Sequence, residues 1–593
     1  MPGPTAADPE AGRWLTRPPL NARRALVALR SGSGGLLLLA LVVGAGSAAF
    51  AVLFRWLIKV FTLLLSGHPD YAAVAGAAHP HLPGLGRWFV LFTPVVAGLV
   101  YGPLVHFFAR EARGHGVPEV MYAVARRGGR IAPQVAAVKA LASALCIGGG
   151  GSVGREGPIV QIGSALGSTL GRVIRVPEHR LRVLVACGAA GGIAATFNAP
   201  LAGVFFAMEL ILSDFAAEAF GMVVIASVTS DAIGRAVLGD QPFLTLPTFT
   251  LAHPQLYLLF ALLGLLAGAV GVGFTRGLYA IEDLCDSLWR GPEWLRPAVG
   301  GLALGGVLLL LPEMYGVGYP VLSNAILDKY AVGFLILLLV GKIVATSLTI
   351  GIGGSGGVFA PSLFIGAMLG SAFGEIVHQA DPGLAGPIGA YGLIGMGAVF
   401  AGAARAPITA VVIMFELTGQ YSIILPLMTA IVLASGISHR LTPDTIYTLK
   451  LRRRGVDLGT RETIAARRTS VGQVMAAVPP SLPAETTLSV AAQALRESQY
   501  GVLPVVDADG TYLGVLTVRA VSDALAEGPN EAETTTTVRS LVEIPSTLRE
   551  DEHVDDGIRA LDLSGSGAIP VLSASDDRVV GWFDYRAALT SFR

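Results

Sequence analysis

The chain has 593 residues, of which 53% are hydrophobic and only 14% are charged, and its mean hydropathy is +0.63. Soluble domains usually carry about 25% charged residues, so this composition indicates a protein that lies largely in a membrane. The formal net charge is zero, which excludes a bulk electrostatic attraction to nucleic acid. The three cysteines have no paired or metal-ligand spacing, and we interpret them as packing residues.

Long apolar stretches follow a basic N-terminal segment, residues 1–33. They predict an all-helical membrane domain, residues 34–450, because a helix needs roughly 20 apolar residues to cross a bilayer. The stretches without charge are Gly34–Phe54, Val183–Met208, Ile343–Gly374, Gly383–Ala404 and Leu417–Ser438. Arginines and lysines flank the first and the last of them, so we expect both termini in the cytoplasm.

The membrane domain contains an internal repeat. Gly148–Gly171 and Gly351–Gly374 share glycines, a proline and a small-residue pattern, and the matched pairs, always 203 positions apart, are Ser152 and Ser355, Pro158 and Pro361, and Gly163 and Gly366. Glycines followed by proline are typical of a helix N-terminus whose free amides face an anion. Two copies in one membrane domain predict inverted-topology repeats with broken helices that point at a single site.

The end of the chain differs in composition. A charged linker, residues 451–469, leads into a soluble α/β tail in which short β-rich runs alternate with helical ones. The tail repeats as well, because Gly514–Ala520 is echoed by Gly581–Ala587. We predict two modules, residues 470–527 and 528–593.

Glu156 is the candidate functional residue of the membrane domain. Arg155 and Glu156 are the only charged residues between Ala140 and Arg172, and a charge inside a membrane segment costs about 2.5–3.5 kcal/mol on insertion scales. At a helix N-terminus, the Glu156 carboxylate competes with a mobile anion for the same positive end. We therefore predict that Glu156 is a gate. The alternative is a capping carboxylate that pairs with Arg155.

Three motifs resemble the signatures of the CLC chloride channels and transporters: Gly114–Pro118, Gly154–Pro158 and Gly357–Pro361, with a later tyrosine, Tyr447. The resemblance implies a homodimer in which each subunit has its own anion pathway, and Glu156 as the gating glutamate. It implies that the amides of Val358 and Phe359 and the Tyr447 hydroxyl hold the anion. It further places His115, Gly116, Arg155 and Gly157 at the anion-binding site. The tail resembles a pair of CBS modules.

The chain departs from the family pattern at His115, where serine is commonest. The imidazole is expected either to donate to the anion, with added pH sensitivity, or to point away and leave the anion to the flanking amides. The preference for chloride over nitrate therefore stays open at this stage.

A second departure concerns protons. Proton-coupled members often carry an internal glutamate, but the corresponding position here is Leu210, which cannot carry a proton. The neighbouring Glu209 is a possible proton relay, although its repeat partner Glu416 favours a structural role for both.

The third departure concerns the tail. Nucleotide-binding CBS modules usually offer a Ser or Thr and, three residues later, an Asp, whereas this tail has Thr517 with Ala520 and Asp584 with Ala587. We expect weak or absent nucleotide binding and no cofactor.

The sequence thus predicts chloride transport through a CLC-type pore gated by Glu156, with the tail tuning the gate. The favoured mode is a passive or weakly proton-coupled channel in a bacterial inner membrane, and the alternative mode is a chloride/proton antiporter. A membrane receptor without transport is the rival from another class. An enzyme is not expected, because no nucleophile and base are paired. The expected partners are chloride, protons, the lipid bilayer and a second copy of the chain.

Overall fold

The computed structural model describes residues 33–239, 255–456, 469–498, 501–526, 537–564 and 567–590. The basic N-terminal segment up to residue 32 and most of the predicted linker, residues 457–468, lie outside the described residues. The chain divides into two compact units, Met1–Val456 and Asp457–Arg593.

The first unit is helical, and its two halves have matching orders of helices. The first half has α1 (Ser33–Ser66), α2 (Phe89–Phe108), α3 (Val117–Arg126), α4 (Gln134–Gly148), α5 (Glu156–Ile174), α6 (Glu178–Phe197), α7 (Pro200–Phe206), a π-helical turn (Ala207–Leu212) and α8 (Ala217–Leu238). The second half has α9 (Leu256–Leu288), α10 (Arg296–Leu310), α11 (Tyr319–Ile326), α12 (Val332–Gly351), α13 (Phe359–Ala380), α14 (Pro382–Ala385), α15 (Ile388–Ala404), α16 (Pro407–Thr418), α17 (Ile424–Leu441) and α18 (Thr448–Arg453).

Among the described residues, eight of these helices are long and apolar enough to cross a membrane: α1, α2, α6, α8, α9, α12, α13 and α17. Of the other helices of this unit, α5 has 19 residues and the rest are shorter. Several helices begin or end inside a stretch that the sequence shows as one charge-free run. Ile343–Gly374, for example, contains the end of α12, a glycine-rich loop and the start of α13. Val183–Met208 breaks between Phe197 and Pro200, and Leu417–Ser438 breaks after Thr418. These breaks agree with the broken helices that the repeat predicts.

The breaks have local causes. A proline occupies the first turn of α3 and of α11, where it has no amide to leave unpaired. A glycine with positive φ precedes each of these two helices, 84° at Gly116 and 89° at Gly318, a conformation that favours glycine. Helices α6 and α15 each end at a residue with left-handed backbone conformation, Asn198 and Arg405 respectively. Repeat-related helices therefore begin and end for the same reasons.

Close packing through glycines holds each half together. A Cβ atom at Gly163 of α5 would overlap the carbonyl of Gly188 in α6. The repeat-related pair behaves alike, because a Cβ atom at Gly366 of α13 would overlap the carbonyl of Gly395 in α15. Small residues let membrane helices approach until their backbones touch. The N-termini of α5 and α13 are positioned by this packing.

The second unit contains two modules of the same design. A short helix, α19 (Val471–Val474), precedes both modules in the chain and packs in the core of the second. The first has β1 (Leu482–Pro483), α20 (Leu488–Glu497), β2 (Val502–Val506), β3 (Tyr512–Thr517) and α21 (Val518–Ala526). The second has β4 (Leu548–Arg549), α22 (Val554–Ser564), β5 (Ala568–Leu572), β6 (Val579–Asp584) and α23 (Tyr585–Thr590). The sheet orders are β1-β2-β3 and β4-β5-β6, each with one parallel and one antiparallel pairing. The predicted fold class, a helical membrane domain with an α/β pair, is confirmed.

Each tail module has its own apolar core. In the first, Leu488, Leu503 and Leu516 pack together, and in the second, Val554, Ile569 and Phe583 do so. The register irregularity falls at the same place in both sheets, between Val505 and Val506 and between Val571 and Leu572. The tail is therefore a duplicated βαβ-type unit.

Candidate anion-binding site

Three glycine-rich loops meet in the interior of the helical unit. The amide of Gly154 donates to the carbonyl of Gly357 at 2.7 Å, and the Gly357 amide donates back at 2.6 Å. Gly114 joins them, because its amide donates to Gly354 O at 3.0 Å and its carbonyl accepts from the Gly356 amide at 3.3 Å. The three motifs therefore form one continuous backbone cluster, although the first and the last are about 240 residues apart in sequence.

Helices α3, α5 and α13 all begin at this cluster. The first four amides of a helix have no partner within the helix, and the helix end carries a partial positive charge of about half a unit. Val358 precedes the first residue of α13, Phe359, and both are buried. The Phe359 ring packs against Phe197 and Phe400, at centroid distances of 5.8 and 4.6 Å. This packing fixes the N-terminus of α13.

Glu156 lies at the point where two helix N-termini meet. Its side chain is 1% exposed, and it is the first residue of α5. Oε1 accepts a hydrogen bond of 2.6 Å from the Tyr319 hydroxyl, whereas Oε2 makes none with the described residues. A Cβ atom at Gly154 would contact both Oε2 and Ala360 in the first turn of α13. The carboxylate therefore lies beside the N-terminus of α13 as well as that of α5.

Gly116 and Gly157 allow the loops to approach. A Cβ atom at Gly157 would overlap the carbonyl of His115, and one at Gly116 would lie 2.8 Å from the carbonyl of Gly157. Any side chain at these positions would push α3 and α5 apart. The two glycines are therefore required by the geometry of the cluster.

His115 is buried, with 1% exposure, and neither ring nitrogen has a hydrogen-bond partner among the described residues. Its ring lies edge-on to Tyr279 at a centroid distance of 6.3 Å. The Tyr279 hydroxyl donates at 2.7 Å to the carbonyl of Ile446, the residue directly before Tyr447. Unpaired polar atoms in a protein interior are rare and need an explanation. A ligand that accepts a hydrogen bond from the imidazole would supply one.

Tyr447 is 1% exposed and directly precedes α18. Hydrogen bonds on both sides fix its backbone, since the Ile446 amide donates to Ala403 O at 2.9 Å and the Tyr447 amide donates to Thr445 Oγ1 at 3.2 Å. The preceding residue, Ile446, is linked to His115 through Tyr279, whose hydroxyl donates to Ile446 O at 2.7 Å and whose ring lies 6.3 Å from the imidazole. The structure thus brings the fourth predicted element to the same region as the three loops.

Two cavities flank the cluster, and cations line both. Arg155 lines a cavity of about 860 Å³ whose other charged lining residues are Arg55, Lys59 and Asp70. The second cavity, of about 580 Å³, is lined by Tyr279 and by a larger set of cations, Arg110, Arg113, Arg296, Lys450, Arg453 and Arg454, with the acids Glu282, Asp286 and Glu293. Cation-lined clefts raise the local concentration of anions.

Two buried lysines hold the loops, and both have 0% exposure. Lys139 donates to the carbonyls of Ala112 and Gly114 at 2.9 and 2.7 Å. Lys342, its partner 203 positions later, donates to Ser152 Oγ at 2.9 Å and to the carbonyls of Gly316 and Val317 at 3.1 Å each. The repeat in the sequence could have found this pair, because the two lysines are related by the same offset of 203 positions as the glycine motifs.

Sequence reasoning also missed Tyr319, although the repeat marks its segment. Gly316–Pro320 repeats the glycines and the proline of Gly114–Pro118, 202 positions later. That signal marks the segment as the second copy of the first motif. It does not reveal that Tyr319 reaches Glu156.

Glu209 lies elsewhere, at a junction between the two halves. Its carboxylate accepts from the amides of Ile408 and Thr409 at 3.2 and 2.8 Å and from Thr409 Oγ1 at 2.7 Å. Glu416 does the reverse, accepting from the amides of Leu201 and Ala202 at 2.9 and 2.7 Å. Each glutamate thus caps the N-terminus of the other half's helix, α16 or α7.

In the tail, the positions compared with nucleotide-binding modules make local hydrogen bonds. Asp584 Oδ1 accepts from the Ala587 amide at 2.7 Å, and Thr517 Oγ1 accepts from the Ala520 amide at 3.1 Å. Both side chains therefore cap the helix that follows them.

Comparison with known proteins places these features in a family. A family model described as voltage gated chloride channel matches residues 97–439, and a CBS domain model matches residues 471–527. The H(+)/Cl(-) exchange transporter ClcA of Vibrio parahaemolyticus is 36% identical over 375 residues, which are 61% of this chain and 79% of that protein. A ClcB-like protein of Ralstonia nicotianae is 32% identical over 428 residues, covering 70% of this chain and 97% of that protein.

Solved structures agree with this assignment. A slow cyanobacterial Cl-/H+ antiporter superposes with a TM-score of 0.63 at 26% identity, over 71% of this chain and 97% of that one. A eukaryotic CLC transporter, at 22% identity, shares the fold with a TM-score of 0.60 over 95% of this chain and 98% of that one. The chain is therefore an integral membrane protein of the voltage-gated chloride channel (CLC) family, with a C-terminal CBS pair.

Proposed function

We propose that the chain exchanges chloride for protons across the membrane, with Glu156 as the gate. Among the family's modes of transport, exchange is favoured by most of the names of the similar proteins, since the Vibrio relatives are called H(+)/Cl(-) exchange transporters and the cyanobacterial structure is a Cl-/H+ antiporter, whereas the Ralstonia relative is called a chloride channel protein. The sequence alone favoured a passive or weakly coupled channel because Leu210 cannot carry a proton. The comparisons support the alternative mode better.

The position of the Glu156 carboxylate carries the proposal. An anionic side chain lies between two helix N-termini, in the place that would stabilise a mobile anion. A chloride ion can take this place only when the carboxylate leaves or is protonated. One group that alternates with the anion and takes up a proton couples the two movements.

The remaining site residues have supporting roles. The amides of Val358 and Phe359 and the hydroxyl of Tyr447 hold the anion, and such neutral dipoles bind weakly enough for it to leave. The imidazole of His115 adds a donor through one of its two unpartnered nitrogens. Gly116 and Gly157 bring their amides close. Arg155 attracts anions into the adjoining cavity.

Protons need a route that does not depend on Leu210, which is 6% exposed. Glu209 is the nearest carboxylate in sequence, but its oxygens accept hydrogen bonds from the start of α16. We infer that Glu209 is a helix cap, with water as the proton path. A relay through Glu209 is the alternative.

The remaining features follow the family. The protein works as a homodimer in a bacterial inner membrane with both termini in the cytoplasm, and each subunit transports independently. The tail adjusts the gate, without a bound nucleotide, because Thr517 and Asp584 already cap their own helices.

The decisive experiment uses the full chain in sealed liposomes with a chloride gradient and a pH electrode. Exchange predicts that chloride movement drives protons uphill. The Glu156→Ala variant is expected to keep chloride flux, lose proton movement and lose its dependence on pH. Chloride flux without proton movement in the unaltered protein would overturn the exchange mode. Absence of any anion flux would favour the receptor.

A further inference from the structure

The hydrogen bond between Tyr319 and Glu156 has a consequence for the gate. We propose that Tyr319 is a positioning residue that holds the Glu156 carboxylate in the anion site, so that chloride must break this bond to enter. The inference rests on the proposed role of Glu156. The bond joins the Tyr319 hydroxyl to Glu156 Oε1 at 2.6 Å and connects the two halves of the membrane unit.

The backbone presents Tyr319 rigidly. It is the first residue of α11, directly after Gly318, whose φ of 89° sets the direction of the helix. The ammonium group of Lys342 holds the two carbonyls before this turn, those of Gly316 and Val317. The phenol therefore reaches the carboxylate from a fixed position rather than from a loose loop.

The surroundings of the ring place it between the cavity and the gate. The Arg155 guanidinium lies over the Tyr319 ring, 5.3 Å from its centroid, and both residues line the cavity of about 860 Å³. Among the described residues, Tyr319 is the one whose side chain donates a hydrogen bond to the Glu156 carboxylate, and Oε2 has no hydrogen-bond partner.

A hydrogen bond to a carboxylate is among the stronger ones in proteins. It stabilises the state in which the carboxylate occupies the site, and the apparent affinity for an anion falls with the fraction of molecules whose site is free. Removing the hydroxyl raises that fraction. We expect chloride to bind about tenfold more tightly, which corresponds to about 1.4 kcal/mol.

The test is Tyr319→Phe in the full chain, with chloride titrated by calorimetry in detergent. The change keeps the ring that Arg155 covers. Tyr391→Phe is the matched control, because the Tyr391 hydroxyl is also buried but has no hydrogen-bond partner among the described residues. We expect a gain of about tenfold for Tyr319→Phe, less than twofold for Tyr391→Phe, and the same contrast in the half-saturating chloride concentration for flux.

A double-mutant cycle distinguishes a tyrosine that holds the Glu156 carboxylate in the anion site from one with a merely structural role. In a Glu156→Ala background there is no carboxylate to hold, so adding Tyr319→Phe should change the chloride affinity by less than about twofold. An equal change in chloride affinity in both backgrounds would refute the positioning role of Tyr319. Unchanged or weaker chloride binding in Tyr319→Phe alone would refute it as well. Failure of the unaltered protein to bind or transport chloride would instead refute the proposed function.

Discussion

The reciprocal caps between the two halves make a strong prediction about Glu209 and Glu416. Both glutamates are changed to glutamine, one at a time, which removes the charge and the ability to carry a proton but keeps the size. At each site the NH2 group of the new glutamine would face a backbone N–H that donates a hydrogen bond to the carboxylate in the unaltered protein. If both are caps, the two variants should behave alike.

The magnitude follows from the contacts. Glu416 accepts two backbone hydrogen bonds, of 2.9 and 2.7 Å, and Glu209 accepts two from backbone and one from Thr409 Oγ1. A hydrogen bond to a charged group contributes about 1.5–3 kcal/mol, and loss of a helix N-cap costs about 0.5–2 kcal/mol. Because each glutamine retains one acceptor, each variant should lower the free energy of unfolding by about 1–2 kcal/mol.

Two measurements check this. Thermal unfolding followed by size-exclusion chromatography in detergent should show similar losses for Glu209→Gln and Glu416→Gln. The ratio of protons to chloride in liposomes should stay at the value of the unaltered protein in both. If Glu209→Gln abolishes proton movement while Glu416→Gln preserves it, Glu209 is a proton relay and the capping argument fails.

Three further predictions concern the loops and the tail. His115→Ala should weaken chloride binding in calorimetry, because it removes a ring whose nitrogens have no hydrogen-bond partner within the described structure, and should lower stability by about 2 kcal/mol or more through the cavity left at a buried site; His115→Ser should restore part of the affinity. Lys139→Met and Lys342→Met should each lower stability by about 3 kcal/mol or more in thermal unfolding, since both leave buried carbonyls without donors. Millimolar ATP should not bind the full chain in equilibrium dialysis, and Asp584→Ala should destabilise the tail by about 1 kcal/mol through loss of a cap.

Each of these has a contrary outcome. Normal chloride affinity in His115→Ala would show that the imidazole points away from the anion. A lysine variant as stable as the unaltered protein would mean that water replaces the ammonium group. Saturable ATP binding would show that the local caps release their side chains to a ligand.

The family motifs and the duplication could be predicted from the sequence because both depend on neighbours along the chain. Glycine before proline marks a helix N-terminus for local steric reasons, and two such marks 203 positions apart predict two facing helices. The α/β tail followed from its alternating pattern and its own repeat. Local chemistry therefore determined the fold class, the candidate gate Glu156 and the identity of the family.

Only the tertiary structure decided which side chains meet across the repeats. Tyr319 and Glu156 are 163 positions apart, and no periodicity connects them. Charge-free runs such as Ile343–Gly374 look like single spans because hydropathy does not register a short glycine loop within the membrane. The glutamates after Pro200 and Pro407 were recognised as a pair, but their exchange of helix caps depends on how the two halves pack. Hydrogen bonds of this kind arise from opposed helix ends brought together by close glycine packing, a geometry that the order of residues alone does not specify.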